Sequence, residues 1–118
     1  MKKVLAVDDS QAMLKMVQQT LQIGGYEVLV ASDGKEALEK FRGAGVELLI
    51  TDINMPVMDG ITLIKEIRAA DKEVPILTLT TESEEPMKQS GFAAGANGWI
   101  VKPFRPAQFL DIVRQILS

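Results

Sequence analysis

The chain has 118 residues, 47% hydrophobic and 25% charged, with 13 Lys and Arg against 16 Asp and Glu for a formal net charge of −3 at pH 7. That length builds one globular domain burying roughly two thirds of its unfolded surface, and the acidic balance argues against a nucleic-acid face. With Cys 0 and His 0 there is no disulfide, thiol nucleophile, imidazole base or zinc-type ligand set, and no apolar run approaches the ~18 residues of a membrane helix.

The first element in chain order is a strand from Lys3 to Val7, whose apolar run ends at Asp8 and is too short for a signal peptide. Gln11 to Ile23 follows with Met13, Leu14, Val17 and Leu21 on one helical stripe, stopped by Gly24 and Gly25. Glu27 to Ala31 reads as the second strand, and Asp33 caps a helix containing Ala37, Leu38 and Phe41. Leu48 to Thr51 is the third strand, after which Asp59 caps a helix containing Ile61, Leu63, Ile64 and Ile67. Ile76 to Thr80 is the fourth, and Ser83 with Pro86 opens a weaker, Gly- and Ala-rich helix toward Ala94. Gly98 to Val101 closes the set of strands, and Pro106 starts a last helix with Phe109, Leu110, Val113, Ile116 and Leu117 inward.

The order is (βα)₅. Strands too apolar to expose either face, each followed by a helix, predict an α/β fold: a parallel sheet covered on both sides, wound right-handedly into three layers. Residues 1–118 are expected to form a single domain, monomeric and cytoplasmic, with neither membrane nor nucleic acid as a partner.

Ligands of such sheets bind beyond the carboxyl ends of the strands. Polar groups stand there at four of the five: Asp8 and Asp9, then Asp52 with Asn54 two residues on, then Thr80 and Thr81, then Lys102 and Pro103. If the first and third strands are neighbours, their tips lie about 5 Å apart and three carboxylates share one pocket. Like charges that close raise a pKa or recruit a cation, and Mg²⁺ needs only one or two carboxylates plus a carbonyl. Lys102 at the rim is placed to meet an anion, and Thr80 adds a hydroxyl. Together they suggest a phosphoryl site with Asp52 as nucleophile. Each residue also has a plainer reading: Asp8 and Asp9 at a helix N-terminus, Thr80 as a β-branched strand residue, Trp99 as core.

"VDDS" at 7–10, "DGKEALEK" at 33–40, "TDINMPVMDG" at 51–60, "LTTES" at 79–83 and "GWIVKPF" at 98–104 resemble the response-regulator receiver domains, most closely the single-domain CheY-type chemotaxis regulators. The resemblance covers nearly the whole chain. It implies strand order 2-1-3-4-5, with Asp52 as phosphoacceptor for a sensor histidine kinase of the CheA-like kind. Mg²⁺ would be held by Asp9, Asp52 and the Asn54 carbonyl, with Asp8 acting through bound water. Lys102 would pair with the phosphoryl group, Thr80 would close onto it, and Trp99 would change rotamer with it. Pro103 would follow a cis bond. The output would be binding rather than turnover, to a target such as the flagellar motor switch through the fourth helix, fifth strand and fifth helix, and a phosphatase would be a further partner. Two positions depart from the commonest family pattern: Thr81, where Ala or Gly is usual, and Trp99, where Tyr or Phe is. The competing function from the residues themselves is a Mg²⁺-dependent phosphohydrolase using Asp52 as nucleophile. A flavin-binding domain on the same fold is a third.

Overall fold

The computed structural model describes residues 1–118. Five strands and five helices alternate: β1 (Lys3–Val7), α1 (Gln11–Ile23), β2 (Glu27–Ala31), α2 (Gly34–Phe41), β3 (Leu48–Thr51), α3 (Gly60–Ala70), β4 (Ile76–Thr80), α4 (Glu85–Ala94), β5 (Gly98–Val101) and α5 (Pro106–Leu117). All neighbouring strands pair in parallel, in the order β2-β1-β3-β4-β5.

Period-two alternation in the central strands divides the apolar residues between two cores. Val4, Ala6, Leu48, Ile50, Leu77 and Leu79 face α1 and α5, meeting Leu14, Val17, Leu21, Phe109 and Val113. Leu5, Val7, Leu49 and Ile76 face the other way, onto Ala37 of α2 and Leu63, Ile64 and Ile67 of α3. Burial of both faces explains why the central strands read as continuous hydrophobic runs. The edges differ from the sequence expectation: β2 and β5 are only half-buried, and Val101 is exposed. An edge strand has one neighbour fewer, and the helical layers do not reach fully over it.

The helix starts have local causes. Ser10, Asp33 and Asp59 each accept an N–H of the first turn, from Met13 at 3.2 Å, Glu36 at 2.8 Å and Thr62 at 2.8 Å. Gly24 caps the end of α1 and Gly25 follows at φ +91°, a conformation only Gly adopts freely. Ser83 does not open α4: the N-cap is Glu84, which makes no side-chain capping bond, and Pro86 stands in the first turn. Pro at the helix start pre-sets the backbone angle there, and it locates the boundary where a capping hydroxyl does not.

Candidate functional site

Because Val7 lies opposite Thr51 in the β1–β3 register, the residues that follow emerge side by side. Asp52 donates its N–H to the Val7 carbonyl at 3.0 Å, and Asp8 donates its own to the Ala31 carbonyl at 3.1 Å. These bonds extend the sheet ladder one residue beyond each strand and hold both acids on rigid backbone. Asp8 and Asp52 are buried, at 4% and 8% exposure, whereas Asp9 is exposed. One carboxylate oxygen from each of Asp8, Asp9 and Asp52 lies within 4.8 Å of the others.

Lys102 reaches into the same pocket from the end of β5. Its Nζ donates to Asp8 Oδ2 at 2.7 Å and to Asp52 Oδ2 at 2.9 Å, with only 10% of the side chain exposed. Its backbone N–H donates to the Thr80 carbonyl at 2.8 Å, and the following Lys102–Pro103 bond is cis, as the resemblance implies. The ammonium is therefore not a free rim charge but a bridge between two buried acids. Burial pulls the Lys102 pKa down, but the hydrogen bonds to Asp8 and Asp52 outweigh it, and the net shift is upward. Burial raises the Asp8 carboxyl above its ordinary value, against the opposing hydrogen bonds from Lys102 and from the Ser10 N–H.

The other oxygen of Asp52 accepts the Ile53 N–H at 2.6 Å. With three acids gathered around one ammonium that bonds two of them, the pocket is short of positive charge. Its donors are carboxylate oxygens, with no Cys or His in the chain, so the set fits a hard cation such as Mg²⁺ rather than a soft metal.

Thr80 is fully buried at the end of β4, and its hydroxyl accepts the Glu82 N–H at 3.3 Å. Glu82 then links three parts of the rim. Its Oε1 accepts from Asn54 Nδ2 at 2.7 Å, and its carbonyl accepts from Trp99 Nε1 at 2.7 Å. Asn54 thus lies at the pocket with its side chain on Glu82, and Thr81 is exposed beside it. The structure brings Asp8, Asp9, Asp52 and Lys102 into one cluster and holds Thr80 and Asn54 at its edge through Glu82.

Sequence reading missed three features here. The Lys102 bridge joins residues 94 and 50 positions apart, a relation no local pattern encodes. Val57, just past Asp52, sits at φ +71° in a three-residue turn closed by Met58 N–H to the Pro56 carbonyl at 2.7 Å. A β-branched residue gives no warning of such a turn. Gly60 leaves room for the Asp52 carbonyl and the Ile53 Cα, and a side chain at that position would collide with both. The Asp59-Gly60 pair was a usable signal for it.

Comparison with known proteins agrees with this geometry. The family model for the response regulator receiver domain matches residues 4–114. Chemotaxis protein CheY1 of Helicobacter pylori strain J99 is 46% identical, over 98% of this chain and 97% of its own. The chain spans about half the length of other curated relatives, such as the transcriptional regulator PhoP of Bacillus subtilis, 39% identical over 98% of this chain and 48% of that protein. Among solved structures, CheY4 of Vibrio cholerae superposes with a TM-score of 0.94 at 49% identity, over 98% of each chain. TrrA of Thermotoga maritima, solved in complex with Mg(2+)-BeF, superposes at 0.90 with 34% identity over 98% of this chain and 99% of that one. These relatives are regulators, which sets aside the phosphohydrolase alternative. Parallel order, acidic strand tips, the Lys102 bridge and the family match agree: this chain belongs to the response regulator receiver domain family, the phosphoacceptor domains of two-component signalling.

Proposed function

We propose that Asp52 is the phosphoacceptor, receiving its phosphoryl group from a sensor histidine kinase of the CheA-like kind. The observation that supports this most is the convergence of three acids around Asp52, with Lys102 Nζ 2.9 Å from its Oδ2. Asp8, Asp9, Asp52 and the Asn54 carbonyl would hold Mg²⁺, which when bound neutralises negative charge on the acceptor and on the incoming phosphoryl oxygens. A carboxylate oxygen of Asp52 attacks phosphorus, the phosphorus–nitrogen bond to the kinase imidazole breaks, and the leaving nitrogen keeps the electron pair and takes up a proton. Lys102 moves from its two carboxylates to the new anion, and its raised pKa keeps it charged for that role.

Thr80 gives up the Glu82 N–H and donates its hydroxyl to a phosphoryl oxygen. Glu82 also carries the acceptor of Trp99, so the change spreads along the segment before α4 to the α4–β5–α5 face. There a target binds, with the result that phosphorylation is read as affinity and not as turnover. Near full-length similarity to CheY1 and CheY4 favours a chemotaxis target such as the flagellar motor switch, with a cytoplasmic monomer as the working form and a phosphatase ending the signal. The half-length matches to transcriptional regulators favour a second reading, a receiver that governs an attached output domain.

Intact-mass measurement tests the acceptor. Wild type incubated with Mg²⁺ and acetyl phosphate should gain one phosphoryl group, and Asp52→Asn should gain none. Equal labelling of the two proteins would refute Asp52 as acceptor.

A further inference from the structure

Gly91 is buried in the body of α4, where Ala would make the better helix. Its backbone has no positive φ to require glycine. A Cβ placed on it would run into Cζ3 of Trp99 and stand 3.0 Å from Cε3 and 3.6 Å from Cη2 of the same ring. All three nearest atoms belong to one indole, and none is backbone. The space a methyl group would fill is occupied by the six-membered ring of Trp99.

The five-membered ring of the same indole makes a specific contact, with Nε1 donating to the Glu82 carbonyl at 2.7 Å. Phe92 lies tilted beside the ring with centroids 6.5 Å apart. Helix, ring and carbonyl thus form a stack whose thickness is set at Gly91. Any side chain there forces the indole to shift, and the short bond from its Nε1 does not survive a shift of this size.

We propose that Gly91 is the positioning residue for Trp99: its missing side chain seats the indole against α4 with Nε1 on the Glu82 carbonyl, joining β5 to the segment between β4 and α4. The same Glu82 binds Asn54 through its carboxylate and Thr80 through its N–H, so the seat at Gly91 connects α4 to the rim of the acidic pocket. The seat stands independently of the phosphoacceptor reading. Its consequence for signalling rests on that reading.

The chain has a single Trp, so the indole gives one N–H resonance and all of the tryptophan emission. Wild type, Gly91→Ala, Trp99→Leu and the double variant are compared without metal. Gly91→Ala should shift the emission to the red, increase acrylamide quenching, and speed exchange of the indole proton about tenfold, as expected for one lost hydrogen bond. In the Trp99→Leu background the same Ala should raise the melting temperature by about 3–6 °C, the ordinary gain of Ala over Gly in a helix. It should bring no such gain in wild type. Unchanged emission, quenching and exchange in Gly91→Ala would overturn the proposal, as would equal stabilisation in both backgrounds. Should Gly91→Ala fail to fold, recovery in the double variant supports the seat and continued failure refutes it. Mg²⁺ with beryllofluoride, added to wild type and Asp52→Asn, reads the acceptor separately: matching responses there count against Asp52 and leave the Gly91 result intact.

Discussion

At the scale of single residues, the arrangement turns on Lys102. Its ammonium touches two buried carboxylates at 2.7 and 2.9 Å, and its removal leaves both with no counter-charge. Lys102→Met keeps the aliphatic stem and deletes the charge. Urea unfolding without metal should show a loss of about 1–3 kcal/mol, the usual cost of leaving a buried hydrogen-bonding group unpaired. A gain in stability would mean that the bridge does not compensate its own desolvation. Thr80 is as buried as any core residue, yet its hydroxyl is engaged only with the Glu82 N–H, a bond of 3.3 Å. Such a bond is readily exchanged for a charge-assisted one, which suits the role proposed for Thr80.

At the scale of elements, the pocket depends on how firmly neighbouring helices are started. In α2, Asp33 accepts the Glu36 N–H while Glu36 Oε1 accepts the Ser32 N–H at 2.7 Å and Glu36 Oε2 meets Lys40 Nζ at 3.1 Å. The Asp33-to-Glu36 spacing is a capping signal visible in the sequence. The Ser32 N–H first, and Lys40 second, hold the Glu36 carboxyl below its ordinary value of 4.5. A lowered folded-state pKa contributes stability above the unfolded value, and that contribution is lost as pH falls through the folded one. Glu36→Ala should lower stability at neutral pH by about 0.5 kcal/mol, a small effect because solvent screens a side chain 39% exposed. Thermal melts should show the gap to wild type narrowing in acid, and a gap independent of pH would contradict the bond. The starts of α4 and α5, by contrast, have no side-chain cap, and α4 is the helix that follows Glu82.

At the scale of the whole molecule, only folding brings the three acids together, so a divalent cation held there would stabilise the folded chain over the unfolded one. Mg²⁺ at a hundred times its dissociation constant should add about 2.7 kcal/mol of stability. Melting with and without Mg²⁺ checks this. Asp9→Asn, altered at an exposed position, should lose most of the shift, and an equal shift would remove Asp9 from the site. Switching is a larger task. A charge-assisted bond from Thr80 contributes roughly 1.5–3 kcal/mol, whereas taking a population from 1:99 to 99:1 needs about 5.5 kcal/mol. Under the proposed function, Lys102, the Glu82 linkages and the target's own preference would supply the remainder, which predicts graded, partner-assisted activation.

What was legible from the residues was local. Apolar runs ending in Asp8, Asp52, Thr80 and Lys102 revealed strands and the polar groups at their ends, because strand burial and strand polarity are written in consecutive positions. Capping residues Asp33 and Asp59 revealed helix starts for the same reason. The order of the strands came from family resemblance, since right-handed βαβ units alone permit several orders. Only the tertiary structure decided that Lys102 bridges Asp8 and Asp52, that Glu82 ties Asn54 to Trp99, and that Gly91 makes room for an indole. Those contacts join segments far apart in the chain, and their geometry is set by how helices and sheet pack, a property of the whole core and of no single stretch of it.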